Sequence, residues 1–475
     1  MDTLLDVVGL PATRQAELLR AGEITSSELM RAHLDRIDAL NPSINAIVTL
    51  DRDGALQRAA AADAVPADQR GPLHGLPVAI KDTAQTAGMR TTFGHPLFKD
   101  NVPAANDLHV ARILDAGAVL LGKTNVPEFA AGSHTVNRVF GPTRNPHDTT
   151  RSVGGSSGGA AAALAAHFVP IADGSDMGGS LRNPASFCGV VGMRPTPGVV
   201  PNSGERDAFN PLATNGPLGR TVDDVALLLS VIAATPSSDL YDAAPSTADL
   251  RSLRPAELRG LRVAYTADLG GRVPVDPEVA HVIARTAEVL ESAGARVESA
   301  CPDLDGSDAA FRTLRAAEFD AGWRDLLAAH PDGFVDFLAD NIRQGAALTG
   351  RDVMAAYAEL TRLRQSATRF FDDYDLVLAP VTQIAPFPVK WDWPRAVNGT
   401  PMHDYLEWMR SAWLFTPLGI PALSLPAGFT PTGLPVGAHL LAGPGRDLTL
   451  LRIASALETA LDLPTAQPLE GELTA

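Results

Sequence analysis

The chain has 475 residues, 45% of them hydrophobic and 20% charged, and a net charge of −16. This ordinary globular composition can bury a large core without disulfides, and the acidic balance argues against a nucleic-acid or anionic-membrane surface. Length alone fits roughly three domains of about 150 residues, or one large α/β domain with insertions.

The N-terminus carries Asp2 and Asp6 and has no basic residue before Arg14, the reverse of an export signal. Thr25 and Glu28 make a capping-box pattern, and Met30, Leu34 and Ile37 follow on one helical face. Residues 45–50 read as a strand, and Leu76 to Ile80 is a short apolar run that delivers Lys81 at its end. Residues 118–121 read as a second buried strand and 160–166 as a small-residue helix. The apolar stretch 160–172 is broken by His167 and Pro170 and falls short of the ~20 residues of a membrane span, so a cytoplasmic protein is expected. Thr221 is placed to cap a helix reaching Ile232. A Ser-, Pro-, Asp- and Ala-rich surface connection covers 235–257. A strand over 261–265 precedes a helix with Asp276 at N-cap and Pro277 at N1, which stops at Gly294. Further strands are expected over 296–299, 376–378, 422–425 and 436–441, and a closing helix over 448–461. Residues 385–413 read as irregular and hold four of the five Trp: Trp391, Trp393, Trp408 and Trp413. They fit either an apolar substrate cleft or packing under a long loop. Strands alternating with helices predict an α/β fold.

Basic residues are lopsided: of 39 Lys and Arg, only Lys81, Lys99, Lys123 and Lys390 are lysine. Lysine can lose its proton when buried and arginine cannot, so each raises the question of why arginine does not stand there. Cys188 and Cys301 read as buried small residues of a reducing compartment. Metal-ligand spacing is missing: there is no HExxH, and no two His stand at i, i+2.

Gly117 to Thr124 satisfies the phosphate-loop pattern, but its middle residues Ala118 to Leu121 are a strand, and Pro127 stands where the helix should run. Gly154 to Gly158 satisfies the nucleophile-elbow pattern GxSxG, but the preceding 145–152 is polar, and no downstream His sits in a recognisable motif. A longer pattern joins Gly154-Gly155-Ser156-Ser157-Gly158-Gly159 to Gly174-Ser175-Asp176-Met177-Gly178-Gly179-Ser180-Leu181-Arg182. The second of these two Ser/Gly loops follows an apolar run, and a helix is expected to open near Leu181. Ser180 then stands beside successive backbone N–H groups, which suits an oxyanion hole. A pair of tight glycine turns fits the same residues.

With these motifs the chain resembles the amidase signature family. The resemblance extends over Gly75 to Asp82, Gly122 to Phe129, Asn183 to Gly189, Gly216 to Thr221 and Gly433 to Gly437, most of the chain. One departure is Ser175, where many members carry Thr. The resemblance implies a single large α/β domain with a mixed, mostly parallel central sheet covered by helices on both faces. Within it, 1–65 is expected to be an N-terminal helical segment, 66–235 the signature core, 236–415 a variable substrate-pocket region, and 416–475 the C-terminal strands and helix. Residues 130–140, 200–215 and 310–415 are expected to supply parts of the pocket.

Carried over by position, Ser180 is implied as nucleophile, Ser156 as bridging serine, usually preceded by a cis peptide bond, and Lys81 as base. The N–H groups of Met177, Gly178, Gly179 and Ser180 are implied as the oxyanion hole. Ala130 falls at an acyl-pocket contact and Ser156 also faces substrate, while Asp176, Arg182 and Ser157 support the loop. Burial should lower the Lys81 pKa from its free value of ~10.4, so that a neutral amine can draw a proton through Ser156 from Ser180. The implied activity is hydrolysis of an amide, aryl amide, ester or carbamate (urethane) by a seryl acyl-enzyme, without cofactor or metal, in a monomer or homodimer acting on a small molecule. Two alternatives stand beside it: the glutaminase component of a tRNA-dependent amidotransferase, and a catalytically inactive binding protein on the same fold. Lys123 is read as a structural hydrogen-bond donor near the sheet edge.

Overall fold

The computed structural model describes residues 7–201, 210–233 and 247–463. Part of the expected 235–257 connection, part of the 200–215 pocket region, and Asp2 and Asp6 lie outside the described residues.

An eleven-stranded sheet runs through the molecule. Its strands are β1 (Ile47–Leu50), β2 (Pro77–Lys81), β3 (Val119–Thr124), β4 (Ile171–Asp176), β5 (Val191–Arg194), β6 (Thr214–Gly219), β7 (Arg262–Tyr265), β8 (Arg296–Ser299), β9 (Leu376–Pro380), β10 (Ala422–Phe429) and β11 (Pro435–Leu441). The spatial order is β1-β3-β2-β4-β6-β5-β10-β11-β9-β7-β8. The sheet is mixed, as expected, but its weighting differs from the expectation: four neighbouring pairs are parallel and six antiparallel. Parallel pairing is confined to β3-β2-β4 and β9-β7-β8, where helices make the crossovers. The β10–β11 hairpin and the short returns through β5 and β6 impose antiparallel pairing between these blocks.

Helices cover both faces. They are α1 (Ala12–Ala21), α2 (Ser26–Ile44), α3 (Arg52–Asp63), α4 (Leu108–Asp115), α5 (Gly158–Ala165), α6 (Arg182–Cys188), α7 (Val222–Ile232), α8 (Pro277–Ser292), α9 (Ser307–Ala329), α10 (Asp336–Ala346), α11 (Gly350–Asp373) and α12 (Asp447–Leu461). Strand β2 is buried along its whole length. Val78 and Ile80 pack with α1, α4 and α7 on one face, and Ala79 packs with α2, α3 and α5 on the other. That is the period of two expected of a strand covered twice.

The Thr25–Glu28 capping box forms as the sequence indicates. Asp276 does not cap α8; its carboxylate accepts from the Asn398 N–H instead. Gly174, Ser175 and Asp176, read from sequence as loop, belong to β4 and pair with Gly216, Asn215 and Thr214 of β6. The polar 145–152 stretch forms a two-stranded ribbon, Arg144–Asn145 with Asp148–Ser152, outside the main sheet.

Helix α5 is built only of Gly, Ala and Leu and is wholly buried. A Cβ at Gly159 would lie 2.2 Å from the Asn125 backbone nitrogen, and one at Gly158 would lie 2.1 Å from Thr135 Oγ1. Without side chains there, the start of α5 approaches the ends of β2 and β3, which brings Ser156 and Ser157 over Lys81.

Candidate active site

Lys81 ends β2 on the α5 face and is 1% exposed. Its Nζ lies 2.8 Å from Ser156 Oγ, 2.8 Å from Ser157 Oγ and 2.9 Å from Ser175 Oγ. Its backbone N–H donates to Asp173 Oδ1 at 2.8 Å. Burial pushes the Lys81 ammonium down to about 7, against the upward pull of the Asp173 and Asp176 carboxylates.

The three hydroxyls fit either protonation state. An ammonium donates to all three; a neutral amine donates to two and accepts from the third. Ser157 is not that third group: its Oγ donates to Ser175 O at 3.3 Å and accepts from the Ser175 N–H at 3.3 Å. It stands at the N-cap position of α5 without capping it. Ser156 and Ser175 remain as the groups that can give a proton to Lys81. Ser156 follows a cis peptide bond to Gly155.

Beyond β4 the chain turns through Met177, Gly178 and Gly179 to Ser180, just ahead of α6. Ser180 is half-buried, its carbonyl accepts from the Ser157 N–H at 3.1 Å, and its hydroxyl is engaged by no hydrogen bond among the described residues. Asp176 fixes this turn from below. Its carboxylate accepts from the N–H groups of Gly179 at 2.9 Å and Leu181 at 3.1 Å, and from Arg182 Nε and Nη2, both at 2.9 Å. Burial would raise the Asp176 pKa, but Arg182 and Arg194 hold it well below the usual carboxylate range. The Gly179 N–H is thereby turned inward. Of the four N–H groups expected to face an oxyanion, those of Met177, Gly178 and Ser180 stay uncommitted among the described residues.

Arg182 also donates to Ala412 O at 2.7 Å and meets His439 Nε2 at 3.0 Å. Arg182 and Asp176 are both fully buried. Removing Arg182 leaves the buried Asp176 carboxylate with only the more distant Arg194, at 3.6 Å, so Arg182→Met should lower the unfolding free energy by about 3 kcal/mol in urea titration.

Ala130 and Phe129 both have left-handed backbone, φ 57° and 51°, in the loop after β3. Phe129 packs face to face with His95 at 4.5 Å, lies 4.0 Å from the Trp323 ring and stacks on Phe334 at 5.7 Å. Met177 packs against this aromatic group. Of the Trp-rich stretch, Trp408 and Trp413 are fully buried, donating to Ser133 Oγ and Leu406 O, while Trp391 is exposed. A Cβ at Gly179 would lie 2.7 Å from Ala412 Cβ, so 409–413 is the floor of the Met177–Ser180 turn. The packing reading holds for Trp408 and Trp413. The wall beside Met177 is instead supplied by α9 and the segment before α10.

Three contributors escaped the sequence reading: Ser175 as a contact of Lys81, Asp173 beneath it, and His439 beside Arg182. Strand alternation carries no signal for the first two: it sets 173 and 175 with Ile171 on the α4 face, where Asp173 meets His109, opposite Ala79 and Lys81. Lys123 Nζ donates to Ala84 O at 2.5 Å, Thr86 Oγ1 at 2.7 Å and Thr91 Oγ1 at 3.1 Å, pinning the loop after β2. A separate cavity of about 210 Å³ is lined by Pro11, His167, Arg220 and Phe429 and by none of the residues around Lys81.

A sequence model of the amidase family matches residues 28–451. An acylamidase of Rhodococcus erythropolis is 36% identical, over 98% of each chain. One component of the glutamyl-tRNA(Gln) amidotransferase of Acidothermus cellulolyticus is 36% identical, over 96% of this chain and 95% of that one. Among solved structures, a bacterial aryl acylamidase of the amidase signature family superposes with a TM-score of 0.88 at 29% identity, covering 97% and 99% of the two chains. A 6-aminohexanoate cyclic dimer hydrolase complexed with substrate superposes at 0.87, also at 29% identity, covering 98% and 99%.

Proposed function

This chain belongs to the amidase signature family and is a carbon–nitrogen bond hydrolase; on that premise we propose that it cleaves small amides with an apolar or aryl group through a Ser180 acyl-enzyme, with Ser156 and Lys81 as its proton relay. The observation that carries this is the placement of a buried lysine, its pKa brought to about 7, within 2.8 Å of the Ser156 hydroxyl.

Neutral Lys81 takes the proton of Ser156 as Ser156 takes that of Ser180, and Ser180 Oγ bonds to the carbonyl carbon. Charge gathers on the carbonyl oxygen, and the N–H groups of Met177, Gly178 and Ser180 are the donors offered to it. The C–N bond breaks when Ser156 returns a proton to the nitrogen, because an unprotonated amide nitrogen is a poor leaving group. Water then attacks the acyl-enzyme along the same route, releasing the acid and restoring Ser180.

The aromatic group of Phe129, Trp323 and Phe334 beside Met177 supports an apolar or aryl substrate. A second reading, ammonia release from glutamine for a tRNA-dependent amidotransferase, draws on the 36% identity to the amidotransferase relative. A matched panel separates them. Purified single chain should hydrolyse an anilide at least about tenfold faster than glutamine, on the scale of a few apolar contacts. A preference for glutamine, or activity only with added partner proteins, would favour the second reading. Esters and carbamates of the same acyl group complete the panel, and a monomer or homodimer is proposed as the active form.

A further inference from the structure

Gly154, two residues before Ser156, is held through both its N–H and its carbonyl. The Gly154 carbonyl accepts from the Thr135 N–H at 3.0 Å and from Thr135 Oγ1 at 2.8 Å. The Gly154 N–H donates to Ser152 Oγ at 3.0 Å, and Ser152 Oγ lies 2.7 Å from His134 Nδ1. His134 Nε2 in turn lies 3.0 Å from Val389 O. A carbonyl only accepts, so Nε2 carries the hydrogen and Nδ1 accepts from the Ser152 hydroxyl. Every hydrogen-bonding group in the chain Val389–His134–Ser152–Gly154 then has one consistent role.

His134 is 4% exposed, and its backbone packs tightly on Gly155, the next residue toward Ser156, where a Cβ would lie 3.2 Å from His134 N. Val389 belongs to a segment clamped onto the same ribbon, with Ser152 N–H donating to Phe387 O at 2.8 Å and Val389 N–H to Thr150 O at 2.8 Å.

We infer that His134 is a positioning residue for the proposed proton relay: as a neutral imidazole it orients Ser152, Ser152 holds the Gly154 amide, and Gly154 fixes where Ser156 meets Lys81. The inference rests on the reading of Ser156 as proton carrier. Burial lowers the His134 pKa to about 4, so the neutral form it needs is the one present at neutral pH.

The two amide analogues of histidine separate the two ends of this chain. Asparagine puts an acceptor near Nδ1 and can still take the Ser152 hydrogen; glutamine puts a donor near Nε2 and reaches only Val389. With kcat on an anilide expressed per site titratable by fluorophosphonate, unfolded protein drops out of the comparison. His134→Gln and Ser152→Ala should each lower kcat by about ten- to a hundredfold, the cost of displacing a reacting group by up to 1 Å, with KM within about twofold. His134→Asn should recover most of the loss. The Ser152→Ala/His134→Gln double variant should be no worse than either single one, because both cut the same chain. Wild-type kcat in His134→Gln, equal damage from Asn and Gln, or additive losses would overturn the inference. Ser152→Ala is the smaller change and carries the test if the His134 variants do not fold. Ser156→Ala is the control: if it keeps turnover, the relay reading itself fails; if it is inactive while His134→Gln is normal, only the positioning role fails.

Discussion

Ser180→Ala loses turnover by about four to six orders of magnitude while unfolding at nearly the temperature of the parent protein. The rate loss follows from removing the one hydroxyl that stands half-exposed on the turn between β4 and α6. The stability expectation follows from what that hydroxyl does not do: no hydrogen bond among the described residues depends on it. The turn is shaped from below by Asp176 and its backbone and arginine partners, which the substitution leaves alone. Exposed changes away from such networks stay within about 0.5 kcal/mol. Hydrolysis of an anilide, a thermal scan and covalent labelling by a fluorophosphonate together check this. Retained turnover, or labelling that moves to Ser156, would remove Ser180 from the role of nucleophile.

The second large effect belongs to Lys81. A lysine at about 7 is roughly half neutral at neutral pH, whereas one at the usual 10.5 is neutral in only about one molecule in 3,000. Activity should therefore rise with pH through about 7 and then level, falling about tenfold per unit on the acid side. The direction is set by the amine having to be neutral to act. Because the Asp173 carboxylate favours the charged ammonium, Asp173→Asn should lower the Lys81 pKa and move the acid limb to lower pH. Lys81→Arg should lose about a thousandfold or more, since a guanidinium keeps its proton and its planar fork does not fit three hydroxyls arranged around one nitrogen. Lys81→Met keeps the volume without the base and should be as inactive. A flat profile between pH 5 and 9, or an active Lys81→Arg, would refute the relay.

How much of this was legible in the chain varies with the kind of force involved. Strand β2 was readable because both its faces are covered by apolar packing, and α2 because its cap and its stripe agree. Strand β4 does not show in the sequence beyond Ala172: Gly174, Ser175 and Asp176 have no apolar pattern, and their strand conformation comes from backbone pairing with β6, itself rich in Gly and Pro. Helices α9 to α11 lie within the 236–415 region that the resemblance marks only as variable, although Thr349 and Asp352 carry a capping box at the start of α11. The triad residues were indicated by resemblance, with the scarcity of lysine as independent support for Lys81. Alternation does not point to Ser175 and Asp173, because it sets them on the face opposite Lys81, and Ser175 meets Lys81 only past the end of β2. His134 and His439 carry no signal either, because their roles depend on Val389 and Arg182, which lie 255 and 257 residues away in the chain.

Those separations bear on how the protein is made. Arg182 under the Ser180 turn closes onto Ala412 and His439, and His134 and the ribbon before Ser156 close onto Phe387 and Val389. Contacts of such sequence distance pay their loop-closure cost before they return any stabilisation. During synthesis the segment with Lys81, Ser156 and Ser180 is complete long before its supports emerge from the ribosome. A nascent or partly unfolded chain thus carries all three side chains but not the contacts that hold them in place. On the proposed relay, competence to hydrolyse would await the last third of the polypeptide, which carries Val389, Ala412 and His439.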